Sequence, residues 1–417
     1  MIQNAKIRPF PYPYKAALAI CNDLDCLRTF EEMKAVHDVL NGNGMTPCGP
    51  GLGLEIGDSF HFFTVHPQQD DTLAYFDGLT PQPSPAAPAI REGIASGLLD
   101  ILHTWGNYSQ KGGFIRRHAE WAVEELQKFG LKIPIWVNHG DRHNFQNLGR
   151  ADSLGDVRES SSVRGDRSEV FEYHVDLSRE AGIRYVWIKE LTPVPGQHRP
   201  LGIADWLECG ADLARFLMRD MLNAKSDAPS PQLKNNLIRH RKLRDGGDFF
   251  EILRYGFFHK DGSDYLPELL SVRFLRRLVE TGGACLLYMH LGKGRPSPEM
   301  PFSKEAYRTL EHLAQWSRAG DIWVTTASRL CRYMELRLRL KLTLKSSDDQ
   351  PMVHGSFADA GDLQAPDVEG LTFYASRETT RRLEINGKSY TLIENPADHT
   401  GAVSYTVPLP PVGYCWG

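Results

Sequence analysis

The sequence lacks any apolar run long enough to cross a membrane. No stretch of its 417 residues approaches the roughly 18 to 20 consecutive apolar residues that a transmembrane helix requires. The opening segment MIQNAKIRPFPYPYK also lacks the apolar core of a secretory signal peptide. We therefore expect a cytoplasmic protein without a membrane span.

An excess of charge of one sign and paired cysteines are also missing. The 48 Lys and Arg residues nearly balance the 52 Asp and Glu residues, and the formal net charge is -4. Such a chain has no general basic field to attract nucleic acid, so we expect no nucleic-acid partner. The 7 cysteines are scattered without a CxxC pair, and their odd number argues against a secreted disulfide framework.

What the chain does contain is a series of short apolar runs separated by amphipathic segments. The runs lie at 16–22, 51–56, 97–103, 133–138, 183–189, 284–290 and 321–326. Between two of them, 114–130 carries one apolar stripe at helical spacing and ends in a glycine. Strands that alternate with helices in this way predict an α/β fold with a parallel sheet, and seven strands are enough for a barrel.

Two regions depart from this pattern. Residues 193–247 predict an insertion near the barrel mouth, because they hold one amphipathic segment followed by a basic stretch. After residue 344 apolar and polar residues alternate with period two, and Asn386-Gly387 separates two such runs as a tight turn would. We expect a barrel over residues 1–340 and a small antiparallel β domain over 345–417.

Polar side chains follow several of the apolar runs. Asp23 and Asp25 end the first run, His103 and Asn107 follow the third, and His290 follows the sixth. Because the carboxyl ends of parallel barrel strands meet at one mouth, these side chains should face a common cavity.

Their chemistry fits a divalent metal site, with zinc as the best-suited ion. Asp25, His103 and Asn107 supply oxygen and nitrogen ligands, and the four-residue spacing of the last two would put them on one face of a helical turn. Asp23 would take a proton from the attacking water, and His290 would protonate the leaving group.

At these residues the chain resembles the polysaccharide deacetylases, the NodB-like carbohydrate esterases of family 4. NDLD, HTWGN and LLYMH are similar to three of the family's motifs. The resemblance implies a distorted (β/α)7 barrel, with Asp23 as base, Asp25 and His103 as metal ligands, and His290 as acid. It also implies hydrolysis of an N-acetyl or O-acetyl group on a sugar, which we expect in cytoplasmic assembly of a surface polysaccharide.

The match to the family departs from the usual pattern at two places. Asn107 stands where a second histidine is usual, and an amide oxygen is a weaker zinc ligand than an imidazole nitrogen. His118, His139 and His143 are candidates to complete the shell. The family's arginine that orients the base has no clean counterpart, although Arg142 follows the fourth run.

Other residues near the strand ends are candidates for substrate contacts or for no chemistry at all. Trp105 could stack on a sugar ring, and Asn138, His139 and Arg142 would line the same mouth. His61 and Glu55 are expected to flank the mouth without chemistry.

Two alternatives remain open. One is a metal-independent glycosidase that uses Asp23 with Glu55 or Glu190 and is insensitive to chelators. The other is an inactive carbohydrate-binding barrel.

Overall fold

The computed structural model describes most of the chain. The described residues are 5–24, 26–64, 73–107, 113–139, 144–150, 153, 155–156, 172–198, 202–203, 205, 207, 209–211, 214, 230–231, 235–257, 259–297, 299–345, 352–375 and 382–417.

The described residues form twenty β-strands, and seven of these strands form a closed barrel. In chain order they are β1 (Lys6–Ile7), β2 (Ala16–Asn22), β3 (Met45–Thr46), β4 (Gly49–Pro50), β5 (Asp58–Phe60), β6 (Leu99–Leu102), β7 (Ile135–Val137), β8 (Tyr185–Thr192), β9 (Ser230–Pro231), β10 (Ile238–Lys242), β11 (Asp248–Tyr255), β12 (Ala284–Met289), β13 (Ile322–Val324), β14 (Leu340–Lys345), β15 (Met352–Phe357), β16 (Thr372–Tyr374), β17 (Leu383–Ile385), β18 (Lys388–Tyr390), β19 (Ile393–Asn395) and β20 (Ser404–Thr406). The ring runs β2, β5, β6, β7, β8, β11, β12 and back to β2, with every pair parallel. The predicted seven-stranded parallel α/β barrel is confirmed.

Helices pack around this ring. They span Phe30–Leu40, Ala87–Ser96, Arg116–Lys128, Val175–Glu180, Leu266–Leu269, Val272–Glu280, Lys304–Arg318 and Ala327–Arg339. Several begin with a side-chain cap, as at Ser303, whose hydroxyl accepts the Ala306 N–H. None of the described helices is long and apolar enough to cross a bilayer.

The prediction of a barrel strand at 51–56 is wrong, whereas the predicted strand at 321–326 is present as β13 but is not a member of the ring. Residues 51–56 form no strand, and the second barrel strand is instead the three-residue β5 just after them. β13 pairs with β2 but lies outside the ring. The seventh ring member is β11, which the sequence analysis did not predict because Asp248, Glu251 and Arg254 interrupt its apolar pattern.

The barrel strands divide their side chains between two faces, as the two-residue period of a strand requires. On β2 the odd residues 17, 19 and 21 join the inner core, whereas residues 16, 18 and 20 pack with the outer helices. Side chains of the same parity just beyond a strand's carboxyl end therefore point toward the mouth. Asp23 continues the inner row of β2 in this way.

The helix Ala327–Arg339 covers the other end of the barrel. Its Glu335 accepts hydrogen bonds from Arg184 and from the Tyr185 hydroxyl at 2.7 Å, both at the start of β8. Its Ser328 N–H donates to Asp100 near the start of β6, at 2.6 Å. The barrel is thus closed at the amino ends of its strands, which leaves the carboxyl ends to form a site.

The seven strands from Leu340 onward, together with β1, form two four-stranded sheets. Their pairs are antiparallel except β15 with β17, and β1 from the start of the chain joins one sheet. The predicted turn joins β17 to β18, with φ of 51° at Asn386 and 77° at Gly387. Trp416 packs back against Phe30 beside the barrel. The division of the chain into two domains stays a prediction.

Candidate active site

Three histidines meet at the carboxyl end of the barrel. His61, His103 and His139 follow the neighbouring strands β5, β6 and β7, and one ring nitrogen of each lies within 4.8 Å of the others. His103 Nε2 lies 3.0 Å from His139 Nδ1. The His61 and His103 rings are stacked, with centroids 4.8 Å apart. We call these three residues the histidine trio.

Strand register and loop contacts place the trio. Phe60 pairs with Leu102, so His61 and His103 occupy the next level on adjacent strands. The loop after β7 holds the His139 backbone, because its N–H donates to Asn147 at 3.2 Å and its carbonyl accepts from Asn144 at 3.1 Å. Both asparagines are buried. The ring positions are therefore supported by a framework beyond the barrel strands.

The donor set fits a borderline divalent cation such as zinc. Imidazole nitrogens bind zinc at about 2.0–2.1 Å, which puts neighbouring ligand atoms of a tetrahedral site about 3.3 Å apart. The 3.0 Å separation of the His103 and His139 nitrogens is close to that spacing. Three protein ligands leave a fourth position for water or substrate, as in catalytic rather than structural zinc sites.

Asp23 lies beside the trio's strands and is ion-paired. Its two carboxylate oxygens accept from Arg254 Nη1 at 3.0 Å and from Nη2 at 3.2 Å. The guanidinium carbon lies 4.0 Å from the Trp187 ring centroid and 5.2 Å from that of Tyr288. Burial would lower the pKa of Arg254, but the charge of Asp23 holds it above its ordinary value. These two hydrogen bonds from one guanidinium group, which we call the Arg254 fork, fix the orientation of the carboxylate.

His290 follows β12, which is the neighbour of β2 on its other side. Asn22 pairs with Met289, and the Asp23 N–H donates to the Met289 carbonyl at 2.8 Å, so Asp23 and His290 share a level. His290 Nδ1 lies 2.7 Å from an Asp261 oxygen. Burial alone would raise the pKa of Asp261, but His290 and Lys293 hold it below its ordinary value. Asp261 therefore orients the His290 ring.

The predicted metal ligands have different positions in the structure. His103 belongs to the trio, and so does His139, which was a candidate both for the shell and for substrate. The helical turn expected between His103 and Asn107 is absent, since Thr104 has a φ of 58° and no helix spans these residues. Asn107 as a ligand stays a prediction. Asp25, Arg142 and His143 lie outside the described residues.

Trp105 and Asn138 are enclosed by protein. Trp105 is fully buried, and its indole N–H donates to His174 at 3.1 Å. The Asn138 amide bonds the backbone of Leu148 through both of its ends, at 2.8 and 2.9 Å. A sugar could reach these two side chains only after neighbouring groups moved. Their role in substrate binding stays a prediction.

His118 lies on the outer helix Arg116–Lys128. Its ring nitrogen accepts the Ile115 N–H at 3.3 Å, and its ring packs near Phe63 with centroids 4.9 Å apart. It is not a member of the trio.

Sequence reasoning gave no chemistry to three residues of this site. His61 was expected only to flank the mouth, because the second strand was placed at 51–56. Arg254 lies on the strand that was not predicted. Asp261 lies in a loop, and the sequence gives no signal for it. Alternation along DFFEILRY would have placed Arg254 on the same face as Phe250 and Ile252, and so inside the barrel.

The carboxylates proposed for a glycosidase are bound by arginines. Glu55 accepts from Arg329 at 2.8 Å, and Glu190 accepts from Arg239 at 2.6 Å.

The chain matches none of the protein-family models and none of the curated proteins with which it was compared.

Proposed function

We propose that this chain is a metal-dependent hydrolase that removes an acetyl group, with the N-acetyl group as the first choice, from a sugar or glycan precursor. The observation that supports it best is the histidine trio at the same end of the barrel as Asp23 and His290. The sugar and the setting, cytoplasmic assembly of a surface polysaccharide, follow from the resemblance of NDLD, HTWGN and LLYMH to the deacetylase motifs.

Two residues of the chain transfer protons in the proposed reaction. Asp23, held in position by Arg254, takes a proton from the water that attacks the acetyl carbon. The C–N bond then breaks, and His290, oriented by Asp261, gives a proton to the departing amine. The products are acetate and the free amino sugar. Each carrier is held by a charged partner, Arg254 or Asp261, so its geometry is set before substrate binds.

His61, His103 and His139 would hold the cation. When bound, such an ion lowers the pKa of a coordinated water and polarises a carbonyl group.

Zinc titration of histidine variants tests the metal proposal. Purified protein, stripped with a chelator and titrated with Zn²⁺, is expected to bind one equivalent. His61→Gln, His103→Gln and His139→Gln should each weaken zinc binding at least tenfold, since one of three ligands is lost. His118→Gln is the matched control, because this histidine lies outside the trio, and it should leave the zinc affinity unchanged.

Two ligand sets can be separated in the same experiment. If the trio binds the ion, His61→Gln and His139→Gln lose zinc, whereas Asn107→Ala keeps it. If Asp25, His103 and Asn107 bind the ion, the result is reversed. Acetate release from N-acetylated sugars, measured on the zinc-loaded protein and lost in His103→Gln, would support the hydrolase. Full zinc binding and acetate release in His103→Gln would exclude both ligand sets.

A further inference from the structure

Lys189 lies in an irregular part of β8, the strand that pairs with β7 below His139. On β11 one residue separates Ile252 from Arg254, whereas their partners on β8, Trp187 and Leu191, are separated by three residues. β8 therefore bulges at 188–190. Lys189 at its centre has a φ of 65°, a left-handed conformation that residues other than glycine, asparagine and aspartate rarely adopt. Bulges of this kind often redirect a side chain beside an active site.

The faces of β8 show where this side chain belongs. Ile188 packs in the outer core, and Trp187 and Leu191 in the inner core. Lys189 is buried, and it lies between Trp187 and Leu191, whose side chains both join the inner core of the barrel. Trp187 pairs with Val137, and two residues further on each strand lie Lys189 and His139. Residue 189 thus lies near the carboxyl end of the strand next to β7, the strand that His139 follows.

A hydrogen bond and an ion pair stabilise the bulge. The Trp187 indole N–H donates to the Glu190 carbonyl at 2.7 Å, which closes the three-residue loop. The Glu190 carboxylate binds Arg239, which also binds Glu251 on the neighbouring strand. Because a left-handed lysine is unfavourable in itself, these contacts help to maintain it. A strained conformation that is so well supported points to a role for the side chain.

We propose that Lys189 is a further catalytic residue, whose ammonium group donates a hydrogen bond to the carbonyl oxygen of the acetyl group as negative charge develops on it. This inference rests on the proposed function. The ring order supports it, since Lys189 on β8 lies between the trio strand β7 and β11, the strand of Arg254. An acetyl carbonyl group bound between the histidine trio and Asp23 would then be approached by the Lys189 ammonium group from β8. Preformed donors of this kind act mainly on the transition state.

Binding of acetate, the product that carries the same oxygen atoms, provides a readout that needs no turnover. The affinity for ¹³C-labelled acetate is measured by NMR titration on the metal-free and the zinc-loaded full-length protein. Lys189→Met should weaken acetate binding at least fivefold in both forms, and Lys189→Arg should restore part of it. Lys260→Met is the control, because this half-buried lysine pairs with Glu268 and should bind acetate as the wild type does.

The Lys189→Gly variant distinguishes loss of the ammonium group from misfolding of the bulge. Glycine adopts a φ of 65° without strain, so the bulge should remain while the ammonium is lost. Lys189→Met and Lys189→Gly should lower kcat for acetate release about 100-fold with little change in KM. Unchanged acetate affinity in both variants would overturn the proposal. Zinc binding by the wild type tests the proposed function separately. The acetate titration tests the role of Lys189 even if the protein releases no acetate from sugars.

Discussion

The Asp23 carboxylate lies in the fork of the Arg254 guanidinium, with donor distances of 3.0 and 3.2 Å, and neither side chain reaches solvent appreciably. Arg254→Met should therefore leave a buried carboxylate without its counter-charge and lower the free energy of unfolding by about 3–5 kcal/mol. Arg254→Lys keeps the charge but loses the fork, so its effect should be smaller. Urea unfolding measures both.

An exposed arginine provides the comparison for this prediction. Arg117 is exposed and pairs with Glu120 and Glu124 on its own helix, so Arg117→Met should leave the free energy of unfolding almost unchanged. Equal losses of unfolding free energy in the Arg117→Met and Arg254→Met variants would show that the buried Arg254–Asp23 pair stabilises the fold no more than an exposed ion pair does. Loss of acetate release in Arg254→Lys, with stability largely kept, would support the orienting role.

Asp261 is predicted to act through His290. Asp261→Asn keeps the size of the side chain but removes the negative charge 2.7 Å from His290 Nδ1. Because the charged imidazole is then less stabilised and its orientation less certain, kcat for acetate release should fall about 100-fold or more, while KM changes little. Steady-state kinetics on the zinc-loaded protein separates the two constants.

The control for Asp261 is a carboxylate in the same region that does not contact His290. Glu268 is largely exposed and pairs with Lys260, so Glu268→Gln should leave kcat unchanged. A rise in KM alone in Asp261→Asn would contradict the assignment, because it would place Asp261 in substrate binding instead.

The sequence predicted the residues at strong strand ends and failed where a strand was short or polar. Asp23, His103 and His290 follow β2, β6 and β12, whose apolar runs are clear. Parallel strands bring their carboxyl ends together whatever their order in the chain, so this part of the candidate site was predictable.

The remaining members depended on contacts between distant segments. β5 has only three residues, so His61 had no apolar run to mark it as a strand end. Arg254 is fully buried on a strand with three charged residues, and its burial is offset by Asp23, 231 positions away. A single sequence gives no signal for such a pair. The same holds for the bulge at Lys189, because a left-handed conformation at a lysine is maintained by tertiary contacts and not by propensity.

Glu190 should make the stability of the protein depend on pH. Burial and the hydrogen bond with Glu251 raise the pKa of Glu190 from 4.5 to about 8, although Arg239 opposes the shift. The folded state thus holds this proton more tightly than the unfolded chain does. Its stabilising contribution is complete below about pH 4.5 and is lost as the pH rises toward 8.

Glu190→Gln replaces the titrating carboxyl with an amide that is neutral at every pH. Relative to the wild type, the variant should therefore gain stability between pH 5 and pH 8, by a total on the order of 2–4 kcal/mol. Urea unfolding at four or five pH values gives this difference. In Glu124→Gln, which changes an exposed partner of Arg117, the difference should stay flat over the same range. If the Glu190→Gln difference were also independent of pH, the proton would not reside on Glu190 in the folded protein. The contact between Glu190 and Arg239 beside the Lys189 bulge would then be an ordinary ion pair.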